Sequence, residues 1–144
     1  MSKLTLEQAN AIIAKAFEAR RAGNGKPLAV AVLDDSGILR SVQREDGASM
    51  FRPDVAFGKG WAAVAMDAPS RELAKRAQKN PTFFASLAAV SGGRMAINPG
   101  GVLIRDAGGH ILGAVGISGD TGERDEEFAI AGIVGAGLVA DAGQ

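Results

Sequence analysis

The sequence predicts one α+β domain over residues 1–144, with an antiparallel sheet flanked by helices. Its length of 144 residues, with 47% hydrophobic and 22% charged residues, is that of a globular domain able to bury one core. Two pairs of short β-rich segments, each joined by an Asp-x-x-Gly turn, predict two hairpins. Helical patterns precede, separate and follow these hairpins, so the predicted order of elements is α-β-β-α-α-α-β-β-α.

The first predicted helix covers residues 5–22, where apolar side chains recur at helical spacing. Thr5 with Gln8 three residues later matches a capping box at its start. Two apolar segments, 28–33 and 38–42, then predict the first hairpin, because residues between them favour a turn.

A helical block is predicted to follow this hairpin. Asp54 is the predicted N-cap of a helix over about 55–67, and Ser70 of a basic helix over about 71–79. Pro81 begins a third, short helix. The block separates the two hairpins and is expected to cover one or both faces of the sheet.

The second predicted hairpin joins segments 102–105 and 110–118. A final helix over about 123–140 is predicted to be capped by Asp120 or Thr121, and its acidic first turn suits the helix dipole. The two hairpins resemble each other in sequence. Either an internal duplication or the shared chemistry of Asp-x-x-Gly turns explains this resemblance.

Charge and composition exclude several classes of function. Sixteen basic residues balance sixteen acidic ones, so we expect no nucleic-acid partner and no attraction to a membrane surface. The absence of Cys excludes disulfides, thiolate nucleophiles and iron–sulfur clusters. With one His and no G-x-S-x-G elbow, we predict neither a metal site nor a serine-nucleophile triad. The N-terminus has no signal-peptide pattern and no segment is long enough to span a membrane, which predicts a cytoplasmic protein.

The glycine-rich segment 116–127 runs from the end of a predicted strand into a helix N-terminus. One interpretation is an anion pocket built from free backbone N–H groups and the hydroxyls of Ser118 and Thr121. The alternative is a tight turn whose glycines supply a positive φ. On the first interpretation, Gly116, Ser118 and Gly119 bind a ligand.

A second candidate is the mixed charged and aromatic segment 44–52, with the helix that follows it. Its cations would face an acidic ligand group while aromatic side chains wall an apolar cavity. Alternatively, the aromatic residues are core and the charged residues are solvated. The residues concerned are Arg44, Phe51, Arg52, Phe57, Lys59 and Trp61.

Three further features of the sequence bear on its function. His110 lies at the exit of a hairpin turn and is expected to be exposed rather than a metal or haem ligand. The basic face that begins at Arg71 is expected to be solvated, or to meet the acidic residues 123–127 of another subunit. The last helix is apolar around much of its circumference, which predicts a homo-oligomer, a dimer or larger.

Several segments together resemble the GlcG/HbpS-like haem-binding family, which is related to the C-terminal domain associated with cobalamin adenosyltransferases. The resemblance spans nearly the whole chain. It is carried by residues 4–10, 29–37, 44–47, 57–59, 99–101 and 113–126.

This resemblance implies a profilin-like domain with about five antiparallel strands, the fifth from around Met95–Ile97. It also implies oligomers, haem or corrinoid as cofactor, and a pocket near residues 44–46, Lys59 and the glycine-rich segment with Glu126. Trp61 just after Gly60, and the lack of the secretory signal of extracellular haem binders, are departures from the family.

Two main functions remain open. The first is a cofactor-binding protein in which Arg or Lys meets haem propionates. Its predicted ligand-binding residues are Arg44, Phe51, Arg52, Trp61, Gly100, Gly116, Ser118 and Gly119. The second is a cofactor-free isomerase, lyase or hydrolase of a catabolic pathway, acting on a small organic acid. Its predicted catalytic residues are Lys59, Glu126 and Asp46. A scaffold or accessory subunit without a ligand is a third, weaker possibility.

Overall fold

A computed structural model describes residues 3–143 and forms five helices and a five-stranded antiparallel sheet within them. The predicted α+β class and the predicted order of the first nine elements are confirmed. In chain order the elements are α1 (Leu6–Ala22), β1 (Ala29–Asp34), β2 (Leu39–Arg44), α2 (Arg52–Met66), α3 (Ser70–Lys79), α4 (Pro81–Val90), β3 (Gly101–Arg105), β4 (Ile111–Ser118), α5 (Gly122–Gly135) and β5 (Val139–Asp141).

The sheet has the order β2-β1-β4-β3-β5, with every neighbouring pair antiparallel. Along β1 the side chains alternate between its two faces. Val30 and Val32 pack with α1 and α5, whereas Ala29, Ala31 and Leu33 face α2. The helix pair α1 and α5 therefore covers one face of the sheet, and α2 covers the other.

The position of the fifth strand was wrongly predicted. Residues 95–97 form no strand, because the N–H of Ala96 donates to the carbonyl of Gly58 on α2. The strand is instead β5, at the end of the chain. Helix α5 ends at Gly135 rather than near residue 140, because Gly137 has a φ of +81° and the chain turns back there. Val139 then pairs with β3.

Two of the predicted helix caps are also wrong. Helix α2 begins at Arg52, three residues earlier than predicted, so Asp54 lies inside its first turn. Ser70 is the first residue of α3, and its hydroxyl donates to the carbonyl of Asn98 at 2.6 Å and accepts the N–H of Gly101 at 2.7 Å. Ser70 therefore ties α3 to the loop before β3. The capping box of Thr5 and the Thr121 cap are confirmed.

Helix α2 lies close against the centre of the sheet because both surfaces carry glycine at the contact. A Cβ added at Gly116 of β4 would collide with the carbonyl oxygen of Ala56, and one at Gly60 of α2 would lie 2.8 Å from Leu33. This close approach places Lys59, the residue before Gly60 on α2, at the end of β4.

The apolar circumference of α5 is largely covered within the chain. Phe128, Ala129 and Ile133 are buried, and Gly132 lies against the carbonyl of Ile12 on α1. Val134 is the exception, with 59% of its surface exposed. Much of the apolar surface of α5 that led to the prediction of an oligomer is therefore buried against α1 in the same chain. Oligomerisation stays a prediction.

The likeness between the hairpins has a common local cause. Asp34 Oδ1 accepts the N–H groups of Ser36 and Ile38, and Asp106 Oδ1 accepts those of Gly108 and His110. Each aspartate therefore closes the same kind of turn, which is sufficient to explain the shared sequence.

Candidate functional site

A cavity of about 370 Å³ lies where α2, the loop before β3 and the junction between β4 and α5 meet. Ser118 at the end of β4 and Gly122 at the start of α5 form one side, and Asn98 and Pro99 form another. The complete lining is Arg52, Val55, Lys59, Asn98, Pro99, Ser118, Asp120, Thr121, Gly122, Glu123 and Asp125.

Lys59 lies at the inner side of this cavity and is only 4% exposed. Its Nζ donates to the carbonyl oxygen of Ile117 at 2.8 Å and to Asp125 Oδ2 at 3.2 Å. The other carboxylate oxygen of Asp125 accepts the N–H of Asp120 at 2.9 Å. The ion pair is therefore held by α2, the end of β4 and the first turn of α5.

Burial dominates the protonation of this pair. It lowers the pKa of Lys59, and the nearby Arg52 lowers it further, while Asp125 acts in the opposite direction. Burial likewise raises the pKa of Asp125, against the effect of Lys59. Each group is thus shifted toward its neutral form, as expected where desolvation exceeds the attraction between two charges.

Asp120 extends this network to the loop after α1. Its carboxylate accepts the backbone N–H of Lys26 at 3.0 Å and that of Thr121 at 2.8 Å. The bond from Lys26 is the main reason that the pKa of Asp120 lies below its usual value. Arg124 lies 3.7 Å away and compensates part of the charge.

Arg52 supplies a half-buried cation to the cavity. Its guanidinium donates to the Ser118 hydroxyl at 3.4 Å, and no carboxylate within residues 3–143 forms an ion pair with it. Across the cavity, the backbone N–H groups of Gly122 and Glu123 at the start of α5 have no acceptor in the described part of the chain. Two donors and a cation thus converge on one space, as a carboxylate requires.

A second, smaller cavity of about 210 Å³ adjoins the first along α2, and Val55 lines both. Phe51 and Met95 give this second cavity apolar walls, with Arg94 at its edge. Phe51 is 64% exposed, which is unusual for a large aromatic side chain. A polar space and an apolar surface therefore lie side by side at the first turns of α2.

Comparison with known proteins identifies the family. The family described as "Haem degrading protein HbpS-like" matches residues 4–134, nearly the whole chain. The chain belongs to the HbpS-like family.

Solved structures agree with this assignment. Crystal structures of HbpS, one of them a double mutant of the Streptomyces reticuli protein, are 31% and 32% identical and superpose with a TM-score of 0.80. Each covers 93% of this chain, which spans 90% and 87% of the respective HbpS chains. The structure described as a PduOC:heme complex has a TM-score of 0.86 at 24% identity. The superposition covers 97% of this chain and 99% of the PduOC chain, and it supports the fold.

Curated relatives come from Citrobacter freundii. An uncharacterized 15.0 kDa protein from the dhaT-dhaS intergenic region is 28% identical over 81% of each chain. The corrinoid adenosyltransferase PduO is 28% identical over 72% of this chain, which spans only 30% of that enzyme. Among residues 3–143, no helix is long and apolar enough to cross a bilayer.

The HbpS-like fold brings together only part of the predicted site. Lys59, Arg52 and Ser118 line the polar cavity, and Phe51 lines the apolar one. Gly100 lies behind the polar cavity, where a Cβ would approach Lys59 Nζ to 2.9 Å. The predicted pairing of the glycine-rich segment with α2 is thus observed.

Other predicted residues lie elsewhere. Asp46 and Arg44 are exposed in or before the loop that precedes α2, and Arg44 donates to the carbonyl of Ala48. Trp61 packs against β1 and under Arg94, away from the polar cavity. Gly116 is occupied by its contact with α2, and Gly119 would collide with the carbonyl of Pro27 if it carried a Cβ.

Glu126 is 2% exposed and does not line the cavity. The guanidinium of Arg71 on α3 binds its carboxylate, with Nε 3.0 Å from both oxygens, and this bond raises the pKa of Arg71. The expectation that this basic face is solvated or meets another subunit is therefore wrong for Arg71. It pairs with Glu126 of α5 in its own chain.

His110 is exposed and lies 3.3 Å from Asp106 at the far end of β4. The eight residues of β4 separate it from Ser118, about 25 Å at the rise of a strand. His110 therefore cannot serve the cavity of its own chain. No group of three or more His, Asp or Glu residues in the described part of the chain could hold a metal ion.

The sequence did not indicate Asp125 as the partner of Lys59 or Asn98 as part of the cavity lining. The available signal was the run of three consecutive acids at 125–127 near the start of α5, because consecutive helical side chains point in different directions and cannot all face solvent. Which acid is buried depends on where α2 and α3 lie.

Proposed function

We propose that this protein binds haem, and that the polar cavity holds a propionate carboxylate. The unpaired guanidinium of Arg52, which faces the free N–H groups at the start of α5, carries the proposal. The haem-bound structure among the solved neighbours and the description of the family support it.

The residues that line the two cavities fit two parts of a haem, a propionate arm and the porphyrin ring. A cavity of about 370 Å³ accommodates a carboxylate arm and not a whole porphyrin. The porphyrin would therefore lie on the adjoining apolar surface, against Phe51, Val55 and Met95. Covering the exposed Phe51 ring would contribute apolar burial. Met95 lines the same cavity and would offer a thioether to the bound group.

In this arrangement the chain orients the group and the bound haem supplies the chemistry of its iron. Arg52 and the α5 amides would hold a propionate, and Phe51 would exclude water from the bound group. Corrinoids carry amide side chains where haem carries propionates, so an unpaired guanidinium favours haem between the two.

A titration of the purified protein with haemin tests this proposal. We expect a saturable Soret shift, and a Kd about tenfold weaker for Arg52→Met, because one charge-assisted contact is lost. Arg21→Met, on the exposed side of α1, is the matched control and should leave the Kd unchanged. Equal affinities for the wild type and Arg52→Met would contradict the propionate site. A parallel titration with cobalamin that shows tighter binding would favour a corrinoid.

A second candidate, a cofactor-free enzyme acting on a small organic acid, is favoured by one observation. Lys59, a basic group with its pKa lowered by burial, lies in the same cavity as the carboxylate-binding groups. The other two predicted catalytic residues, Asp46 and Glu126, do not line this cavity, so Lys59 and Asp125 would carry the chemistry.

A further inference from the structure

We propose that Lys59 forms a Schiff base with small 2-oxo acids that enter the polar cavity. This inference goes beyond haem binding and uses the carboxylate site of the proposed function. It rests on the arrangement of three groups: a buried amine, a buried acid beside it, and an unpaired cation in the same space.

The hydrogen bonds of Lys59 suit a neutral amine. A neutral amine has two N–H donors and one lone pair. Its two donors match the two acceptors observed, the carbonyl oxygen of Ile117 at 2.8 Å and Asp125 Oδ2 at 3.2 Å. The remaining tetrahedral position of Nζ, occupied by the lone pair, is then directed away from both acceptors. Since Lys59 lines the cavity, a carbonyl carbon there could approach this position.

The surroundings increase the fraction of Lys59 that is in this neutral form. Burial lowers the pKa of Lys59, and Arg52 opposes a second positive charge nearby. Desolvated lysines beside another cation are the usual nucleophilic amines for carbonyl compounds. Gly100 permits the arrangement, because a Cβ at that position would lie 2.9 Å from Nζ.

The substrate class follows from the charges that line the cavity. Lys59 pairs with Asp125, and Asp120 lies near Arg124, so their charges are largely compensated. Arg52 remains without a carboxylate partner among residues 3–143 and lines the cavity. A molecule with a carboxylate for Arg52 and an adjacent carbonyl for Lys59 uses both groups. That is a 2-oxo acid.

The step balances without an added oxidant or reductant. The Lys59 nitrogen attacks the carbonyl carbon, a C–N bond forms, and the C=O π electrons move to oxygen. Asp125 takes one proton from the nitrogen and gives it to the oxygen, which yields a carbinolamine. It then takes the second proton from the nitrogen and gives it to the hydroxyl, so that the C–O bond breaks, water leaves and the C=N bond forms. Burial raises the pKa of Asp125, which suits it to carry that proton.

Reductive trapping tests the proposal with pyruvate as the probe. Haem-free protein is incubated with pyruvate and cyanoborohydride, and the adduct is located by peptide mass spectrometry. We expect one saturable adduct, heavier by pyruvate less one oxygen atom, on the peptide that contains Lys59. Mapping in the wild type keeps the test valid even if a Lys59→Arg variant, which should give no adduct at this position, fails to fold.

Two controls separate a built site from general lysine reactivity. Arg52→Gln should raise the half-saturating pyruvate concentration about tenfold through loss of the carboxylate contact. Trapping of acetaldehyde, which has no carboxylate, should fall much less than trapping of pyruvate, because only the change in the Lys59 pKa affects it. Lys75→Arg, an exposed residue on α3, should not alter the adduct.

The possible outcomes are distinct from those of the haem titration. Adducts spread over exposed lysines, with Lys59 unmodified, would overturn this inference and leave haem binding untouched. Trapping at Lys59 in a protein that fails to bind haemin would overturn the proposed function alone. If both hold, haemin should protect Lys59 from pyruvate, because a propionate would occupy the site at Arg52.

Discussion

Replacement of Lys59 by Met should destabilise the protein strongly, because it leaves the buried carboxylate of Asp125 without its cation. The two side chains are 5% and 2% exposed. Removing one partner of such a pair costs about 3 kcal/mol, since the remaining charge stays desolvated. For a chain of 144 residues, this corresponds to a Tm lower by about 10 °C.

Urea unfolding followed by the fluorescence of Trp61 would measure the loss. The double variant Lys59→Met with Asp125→Asn should lose only about 1 to 2 kcal/mol, because no buried charge remains. Lys75→Met is the exposed control and should stay within about 0.5 kcal/mol of the wild type. The reasoning fails if the double variant loses as much as the sum of the two single variants.

The stability of the protein should also change with pH, in a direction set by the pKa shifts of Lys59 and Asp125. The raised pKa of Asp125 means that the folded state holds its proton more strongly, so stability falls as pH rises from 3.8 through the folded pKa. The lowered pKa of Lys59 means that stability rises with pH between its folded pKa and 10.5. Both slopes should be absent in the double variant.

Two other substitutions test the framework of the site. Gly100→Ala should destabilise the chain by about 2 kcal/mol in urea unfolding, because Gly100 combines a φ unfavourable for alanine with a close contact to Ile117 O. Gly92 also has a positive φ but has open space around it, so Gly92→Ala should destabilise the chain by about 1 kcal/mol. Asp120→Asn should destabilise the protein at neutral pH, because the bond from Lys26 N–H lowers the aspartate pKa. That contribution is present above pH 3.8 and is lost as pH falls through the folded pKa, so equal acid-unfolding curves for wild type and variant would contradict this account.

Features set by local chemistry were predictable from the sequence. The capping box of Thr5 and Gln8 needs only residues three apart, and the turns closed by Asp34 and Asp106 need only four. The hairpins, and with them most of the sheet, follow from such signals. The family resemblance added the five-strand sheet, but not the position of its last strand.

Features that depend on distant contacts were not predictable in the same way. The segment Val139–Asp141 is too short and too weakly patterned to indicate a strand, and pairing with β3 alone makes it one. Similarly, Asp125 and Glu126 look like ordinary acids at a helix start. Their burial exists only because α2 brings Lys59 to one of them and α3 brings Arg71 to the other.

The exposed edge of the sheet has a consequence for solubility. Strand β2 is open along its six residues, whereas the opposite edge is the three-residue β5. The open edge carries Arg40 and Arg44 beside the exposed apolar residues Leu39 and Val42. Charges on an edge strand oppose pairing with strands of other molecules. The two arginines thus oppose edge-to-edge aggregation of the protein. Neither lines the polar cavity, so they can do this without affecting ligand binding there.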